Sequence, residues 1–389
     1  MNFDKIFSTD VIGKLERVEL TLNHKPIDRV AILEQLSYNP DVIARVTGRK
    51  IEGYNYTVDD ICEVIRKTTD MIMPPVPPKG NDTYTDIDGF VFKNDNWMTW
   101  RVSSPFKDEN GAKGWLTKRI QRLRDMKCDH GIVAYTCAKE LANYSEAIST
   151  EHLKNWYQDY MRTIQRKIGD TVILNYSQTN FCSVFNMMGI EIFTYFYYTY
   201  PDILQEFMEV STETEIRRIN AVADVKLSPV ILIPEDFSHK GGLIFDPEML
   251  GTYHYPYIKK LANTWHEHGV KVLYHSDGFY KPALPQLMSC GVDGFYCLEI
   301  NAMMDVVELK NTYPDFVWAG GVDGVDLMEL GTTSNVKAEV HRHIVETNVL
   351  NTGGMFVATS SEINPPIGPD NFCAMIEACG EVRNPNFGK

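Results

Sequence analysis

Residues 230–275 read VILIPEDFSHKGGLIFDPEMLGTYHYPYIKKLANTWHEHGVKVLYH. A short apolar run, Val230–Ile233, is followed by a loop, a long helical pattern over Pro247–His268, and a second apolar run, Val272–Tyr274. Asp246-Pro247-Glu248 is an N-cap-like opening for that helix, because aspartate accepts a free N–H and proline suits the first turn. Short, wholly apolar runs fit strands covered on both faces, and their alternation with helices predicts a parallel sheet. The same rhythm extends in both directions. Ile132–Tyr135 and Val172–Leu174 precede the stretch; Gly294–Cys297, Phe316–Ala319 and Met355–Ala358 follow it, with another helical pattern over Val336–Val349.

The first hundred residues are less regular. Val58, Ile61, Val64 and Ile65 share one face of a helix over Thr57–Asp70, and the proline-rich run Met71–Gly80 ends it. Asp88–Val102 reads as a β-hairpin turning near Asn94-Asp95-Asn96. Counting Val30–Leu33 or the hairpin brings the strands to about eight, the number of a TIM barrel. No Gly-x-Gly-x-x-Gly follows an early strand, which argues against an open dinucleotide-binding sheet. The expected fold class is therefore α/β, a (β/α)8 TIM barrel with an N-terminal elaboration. One domain is expected over 1–389, with the elaboration and first barrel elements in 1–125 and the remaining βα units in 126–389.

Charge narrows the partners. The chain has 38 basic and 52 acidic residues, a net charge of −14, which repels nucleic acid and anionic membrane surfaces. Met1–Asp10 lacks the charged-then-apolar pattern of an export signal, and no apolar window is long enough to span a membrane. The eight cysteines include no Cys-x-x-Cys pair and read as reduced thiols, so a cytoplasmic protein is expected.

Functional groups of a barrel enzyme lie where strands end. His239 follows the strand Val230–Ile233, His254 lies in the helical segment after it, and His275 closes the next strand. Three imidazoles on neighbouring units can form a metal site with one open position; each can equally be a separate structural histidine. His266, His268, His341 and His343 sit in pairs two residues apart, facing different sides of a helix, and read as structural. Asp277 in His275-Ser-Asp-Gly278 is either a polar group at the strand mouth or a turn aspartate. Glu235 and Asp236 are candidate partners for histidine N–H groups, and Glu299 and Asp323 add carboxylates at later strand ends. Tyr176, Asn180 and Phe181, in a polar-then-aromatic stretch after Val172–Leu174, are candidate substrate contacts, with Asp323 beside them and Trp318, Trp97 and Trp100 as walls.

Several segments then carry a resemblance. Gly241-Gly-Leu-Ile-Phe-Asp-Pro-Glu-Met249, His268-Gly-Val-Lys-Val-Leu-Tyr-His-Ser-Asp-Gly278, Trp318-Ala-Gly-Gly-Val-Asp323 and Pro365-Pro-Ile-Gly-Pro-Asp-Asn-Phe372 occur in an order that resembles the uroporphyrinogen decarboxylase superfamily. That superfamily has a (β/α)8 barrel and includes corrinoid-dependent methyltransferases. Its decarboxylases carry an arginine-rich N-terminal motif, whereas Leu33–Asn39 here contains no arginine. Its thiol methyltransferases hold zinc with His-x-Cys and a later cysteine; Asp277 and Ser360-Ser361 stand in those places. The aryl-ether O-demethylase methyltransferases are the most similar branch. His239, His254 and His275 have the spacing of that branch's Glu, Glu and His zinc motif.

The resemblance implies a zinc-dependent methyltransferase. His275 and Asp277 would be catalytic, and His239, His254 and His275 would hold Zn2+. A methyl group would pass from a small methylated substrate, expected to be a methoxylated aromatic, to the Co(I) of a separate corrinoid protein. Two alternatives stand beside it. One is a metal-free decarboxylase using Arg45, Arg49 or Arg101 to grip carboxylates. The other is a non-catalytic protein that binds a corrinoid or tetrapyrrole.

Overall fold

The computed structural model describes residues 3–36, 38–125 and 150–389. Eight short parallel strands are β1 (Ala31–Glu34), β2 (Met71–Ile72), β3 (Val172–Ile173 continuing as Asn175–Tyr176) and β4 (Val230–Pro234), then β5 (Lys271–His275), β6 (Gly294–Tyr296), β7 (Val317–Val322) and β8 (Met355–Thr359). Each pairs with the next in chain order, and β8 returns to β1. β3 closes the ring by pairing Val172–Ile173 with β2 and Asn175–Tyr176 with β4. This is the TIM barrel expected from the strand–helix rhythm.

Strand alternation sorts the core into two layers. Ala31, Leu33, Met71, Val172, Leu174, Val230, Leu232, Leu273, Tyr296, Ala319 and Phe356 form one buried cluster inside the barrel. The intervening residues, among them Ile32, Ile231, Ile233, Tyr274, Phe295 and Trp318, pack outward against the helices. The helix Lys14–Leu22 adds Val18 and Leu22 to the inner cluster. Beside it, Arg17 and Arg29 are buried among Asp10, Asp28 and Asp70, with Arg17 Nη1 2.8 Å and Arg29 Nη1 2.7 Å from the Asp70 carboxylate.

Three expectations change. The run Ile132–Tyr135 lies outside the described residues, as do Cys128 and Cys137, and the second barrel strand is Met71–Ile72. The segment read as a helix over Pro247–His268 is two helices, Pro247–Tyr253 and Tyr255–Glu267, broken at His254 (φ −124°, ψ −69°). Pro256 lacks the N–H that would continue one helix through this point. The hairpin forms from Val91–Asp95 and Met98–Ser103, with Asn96 at φ +50°, and gains a third strand, Thr83–Thr85. It belongs to the connection that leaves β2, so it does not contribute to the barrel wall.

Candidate metal centre at the barrel mouth

Asp236, His275 and Asp277 meet where β4 and β5 end. His275 Nε2 lies 3.3 Å from Asp236 Oδ1 and 3.8 Å from Asp277 Oδ1. One ligand atom from each residue falls within 4.8 Å of the other two. The arrangement follows from strand register. β4 and β5 pair in parallel with Pro234 opposite His275, and the Glu235 N–H donates to the His275 carbonyl at 2.9 Å. Val230 and Leu232 point inward, so Asp236, in the same alternation, also faces the inside. The imidazole is largely covered at 13% exposure, while the two carboxylates, at 53% and 57%, open to solvent. Tyr296 backs the ring at 5.3 Å between centroids.

The turn after His275 is tightly held. Gly278 has φ +81°, and a Cβ there would lie 2.5 Å from the backbone carbonyl carbon of His239. Its N–H donates to Glu299 Oε2 at 2.7 Å, and the Asp277 N–H donates to Asp236 Oδ1 at 3.2 Å.

The three ionisable groups bias one another. Partial desolvation beside the barrel wall pushes the Asp277 carboxyl up to about 6, with the nearby charges of Asp236 and Glu299 adding to the rise against the pull of His275. Burial alone would lower His275, but its hydrogen bond to Asp236 and the negative charges of Asp236, Asp277 and Glu362 outweigh it and raise the imidazole. Burial opposes ionisation of Asp236 too, yet the His275 contact holds its carboxyl below the usual range. The cluster is a pocket of excess negative charge that favours a bound cation. A tetrahedral ion with bonds of roughly 2.0–2.2 Å needs donor atoms about 3.3–3.6 Å apart. Two carboxylates and one imidazole, with a side open to solvent, fit a divalent metal with a free position.

His239 and His254, expected as ligands beside His275, are not brought to this cluster. His254 is fully buried behind the barrel wall, where its Nε2 lies 2.8 Å from the Tyr274 hydroxyl and its ring packs among Phe181, Phe237 and Tyr255. Tyr274 faces outward and His275 inward, so the β5 strand itself separates the two imidazoles. Burial pushes the His254 imidazole down to about 3. His239 is closer in the backbone, since its carbonyl accepts the Phe279 N–H. Its exposed ring turns back on its own hairpin, where Nδ1 accepts the Gly241 N–H at 3.0 Å.

The expected substrate contacts divide the same way. Tyr176 is half-buried against the inner cluster, with its hydroxyl 2.7 Å from Met73 Sδ. Trp318 faces outward, fully buried and stacked on Phe295 at 5.0 Å. Phe181 is buried in an aromatic group with Phe193 and Phe245. Asn180 is buried at φ +69° before the helix Phe181–Met188. Asp323 caps its own turn, accepting from Val325 N–H at 2.9 Å and from the Asn301 amide at 2.8 Å. The member of this cluster that was not read as a candidate ligand is Asp236, and inward alternation from Val230 and Leu232 is the signal for it. Among the histidines read as structural, His266 pairs with Asp293, His268 with Asn220, His341 with Glu381 and His343 with Glu339.

The fold and site define a parallel barrel with a polar cluster at its strand ends. The family model described as uroporphyrinogen decarboxylase (URO-D) matches residues 138–382, well over half the chain, and the protein belongs to that family. A methyltransferase from Methanosarcina mazei has a similar structure, with a TM-score of 0.62 at 15% identity, covering 95% of this chain and 99% of that one. A Penicillium canescens endo-1,4-beta-xylanase, XylE, gives a TM-score of 0.42 at 9% identity over 93% of this chain and 97% of its own. A sugar phosphate isomerase/epimerase from Parabacteroides distasonis gives 0.29 at 12% identity, covering 60% and 77%. These last two are too distant to bear on function. Among curated proteins, none matches the chain.

Proposed function

We propose that this protein is a metal-dependent methyltransferase that moves a methyl group from a small methylated substrate to the Co(I) of a separate corrinoid protein. The observation that carries the reading is the convergence of Asp236, His275 and Asp277 on the inner side of the barrel mouth. Family membership and the near full-length similarity to the fold of a methyltransferase support it. Asp236 and Asp277 would hold a divalent ion such as zinc together with His275 Nε2. A metal bound there would act as a Lewis acid toward the leaving oxygen of a methoxylated aromatic. The chain's own residues set the rest. Tyr296 backs the imidazole, Tyr176 lines the inner wall, and the Gly278–Glu299 bond fixes the turn that carries Asp277. In such a transfer the Co(I) would supply the electron pair for the new bond to the methyl carbon, the C–O pair would stay on oxygen, and the oxygen would take up a proton.

The decarboxylase alternative asks for cations to grip substrate carboxylates, and its three candidates are engaged. Arg45 pairs with Asp370, Arg49 with Asp60, and Arg101 donates to the carbonyls of Asn186 and Met187.

The test incubates zinc-loaded protein with cob(I)alamin and a panel of methoxylated phenols, following methylcobalamin formation by absorbance. Turnover in the wild type and its loss in Asp236→Asn and Asp277→Asn is the expected result. No methyl transfer from any donor in the panel, with zinc demonstrably bound, contradicts the assignment.

A further inference from the structure

Asp236 is held by the residue before it. Glu235 is fully connected at the end of β4. Its N–H donates to the His275 carbonyl at 2.9 Å, and its own carbonyl accepts from the Tyr274 hydroxyl at 3.3 Å. Its side chain points away from the mouth, in alternation with Asp236, and is buried at 3% exposure. There Oε1 accepts the Thr179 N–H at 3.1 Å as well as the Thr179 hydroxyl, and Oε2 accepts the Cys182 N–H at 2.9 Å. Cys182 lies in the first turn of the helix Phe181–Met188, where free N–H groups and the helix dipole favour a negative charge. No Lys or Arg among the described residues bonds to this carboxylate, so the donors of the loop after β3 are what stabilise it.

We propose that Glu235 is the positioning residue of the metal centre: by clamping the loop after β3 to the end of β4, it sets the inward direction of Asp236. The inference rests on the proposed metal site. Because alternation gives Glu235 and Asp236 opposite faces, a side chain anchored outward by three hydrogen bonds leaves its neighbour one way to turn. The same clamp holds the segment that carries Tyr176, so the metal ligand and the inner wall are placed together. Partners that orient a metal-binding group commonly change affinity by about 10–100-fold when removed.

Zinc affinity of the full chain, measured by competition with a chromophoric chelator, tests this apart from activity. Glu235→Ala is expected to weaken zinc binding by about 10–100-fold at a temperature where circular dichroism shows the barrel folded. Glu235→Gln keeps an acceptor for Thr179 and should restore part of that loss. Thr179→Val, which removes one donor and keeps the shape, should weaken binding by a smaller factor and serves where Glu235→Ala does not fold. Wild-type affinity in Glu235→Ala, or in Thr179→Val where that variant is the one that folds, overturns the positioning role while leaving the metal site intact. If the wild type takes up no zinc at all, the metal site fails and the positioning role fails with it.

Discussion

Tyr274 and His275 are consecutive on β5 and face opposite sides of the barrel wall: Tyr274 bonds His254 among the outer helices, and His275 meets Asp236 at the mouth. A single peptide unit thus separates the hydrogen-bond partner of a buried histidine from the candidate metal ligand. His239, His254 and His275 belong to different environments, and the cluster at the mouth is one imidazole with two carboxylates.

His254 gives the first prediction. Its folded pKa is pushed to about 3, below the usual value near 6.5, so the native state resists a proton that the unfolded chain accepts. Its contribution to stability is complete above pH ~6.5 and is lost progressively as pH falls toward ~3. His254→Gln should lower Tm at pH 8 yet flatten the decline of Tm between pH 7 and pH 5. A pH dependence identical to the wild type would show that another group controls this window.

A second prediction concerns the far end of the barrel. Asp70 is fully buried; the charges of Arg29 and Arg17 overcome the penalty of burial and hold its carboxyl far below the usual range. Removing its charge leaves two buried guanidinium groups short of a partner. Asp70→Asn should cost about 3–5 kcal/mol in denaturant unfolding. A loss under ~1 kcal/mol would mean that Asp10 and Asp28 suffice for both arginines.

The turn at Gly278 gives a third. Its φ of +81° and the 2.5 Å approach of the His239 backbone leave no room for a side chain. Gly278→Ala should therefore shift the loops of Asp277 and His239 apart and weaken metal binding more than it lowers Tm. Undiminished zinc affinity in this variant would separate the turn from the site.

A fourth prediction addresses substrate charge. Asp236, Asp277, Glu299 and Glu362 all bear on the mouth, and Arg45, Arg49 and Arg101 are tied up elsewhere. A divalent ion offsets Asp236 and Asp277, which leaves Glu299 and Glu362 to repel an anionic substrate. Neutral 2-methoxyphenol should be turned over faster than 4-methoxybenzoate, measured as kcat/KM with cob(I)alamin as acceptor. The reverse order would point to a cation at the mouth besides the bound metal.

The barrel was readable because its strands, buried on both faces, are unbroken apolar runs between amphipathic helices. β2 escaped notice because Met71–Ile72 is too short to show a period and is followed by Pro74 and Pro75; pairing with β1 and β3 on both sides makes it a strand. His275 and Asp277 were legible as strand-end groups. His254 and Trp318 lie on the outer side of the barrel wall, and distance along the chain does not tell which side of that wall a residue serves. Counting in twos from Val230 reaches Asp236 on the inner face, and the same count along β7 sends Trp318 outward with Phe295. The break at His254 is marked locally by Pro256, whereas the burial of Phe181 comes from packing against Phe193 and Phe245, which no local pattern encodes.

The most direct test of the central claim is the metal content of the purified protein by elemental analysis, with Asp236→Asn, Asp277→Asn, His275→Ala, His239→Ala and His254→Gln prepared in parallel. The account predicts about one zinc per chain in the wild type, lost in the first three variants and retained in His239→Ala and in folded His254→Gln. Zinc retained without Asp236 and Asp277 but lost without His239 and His254 would contradict it and return the metal to the three histidines.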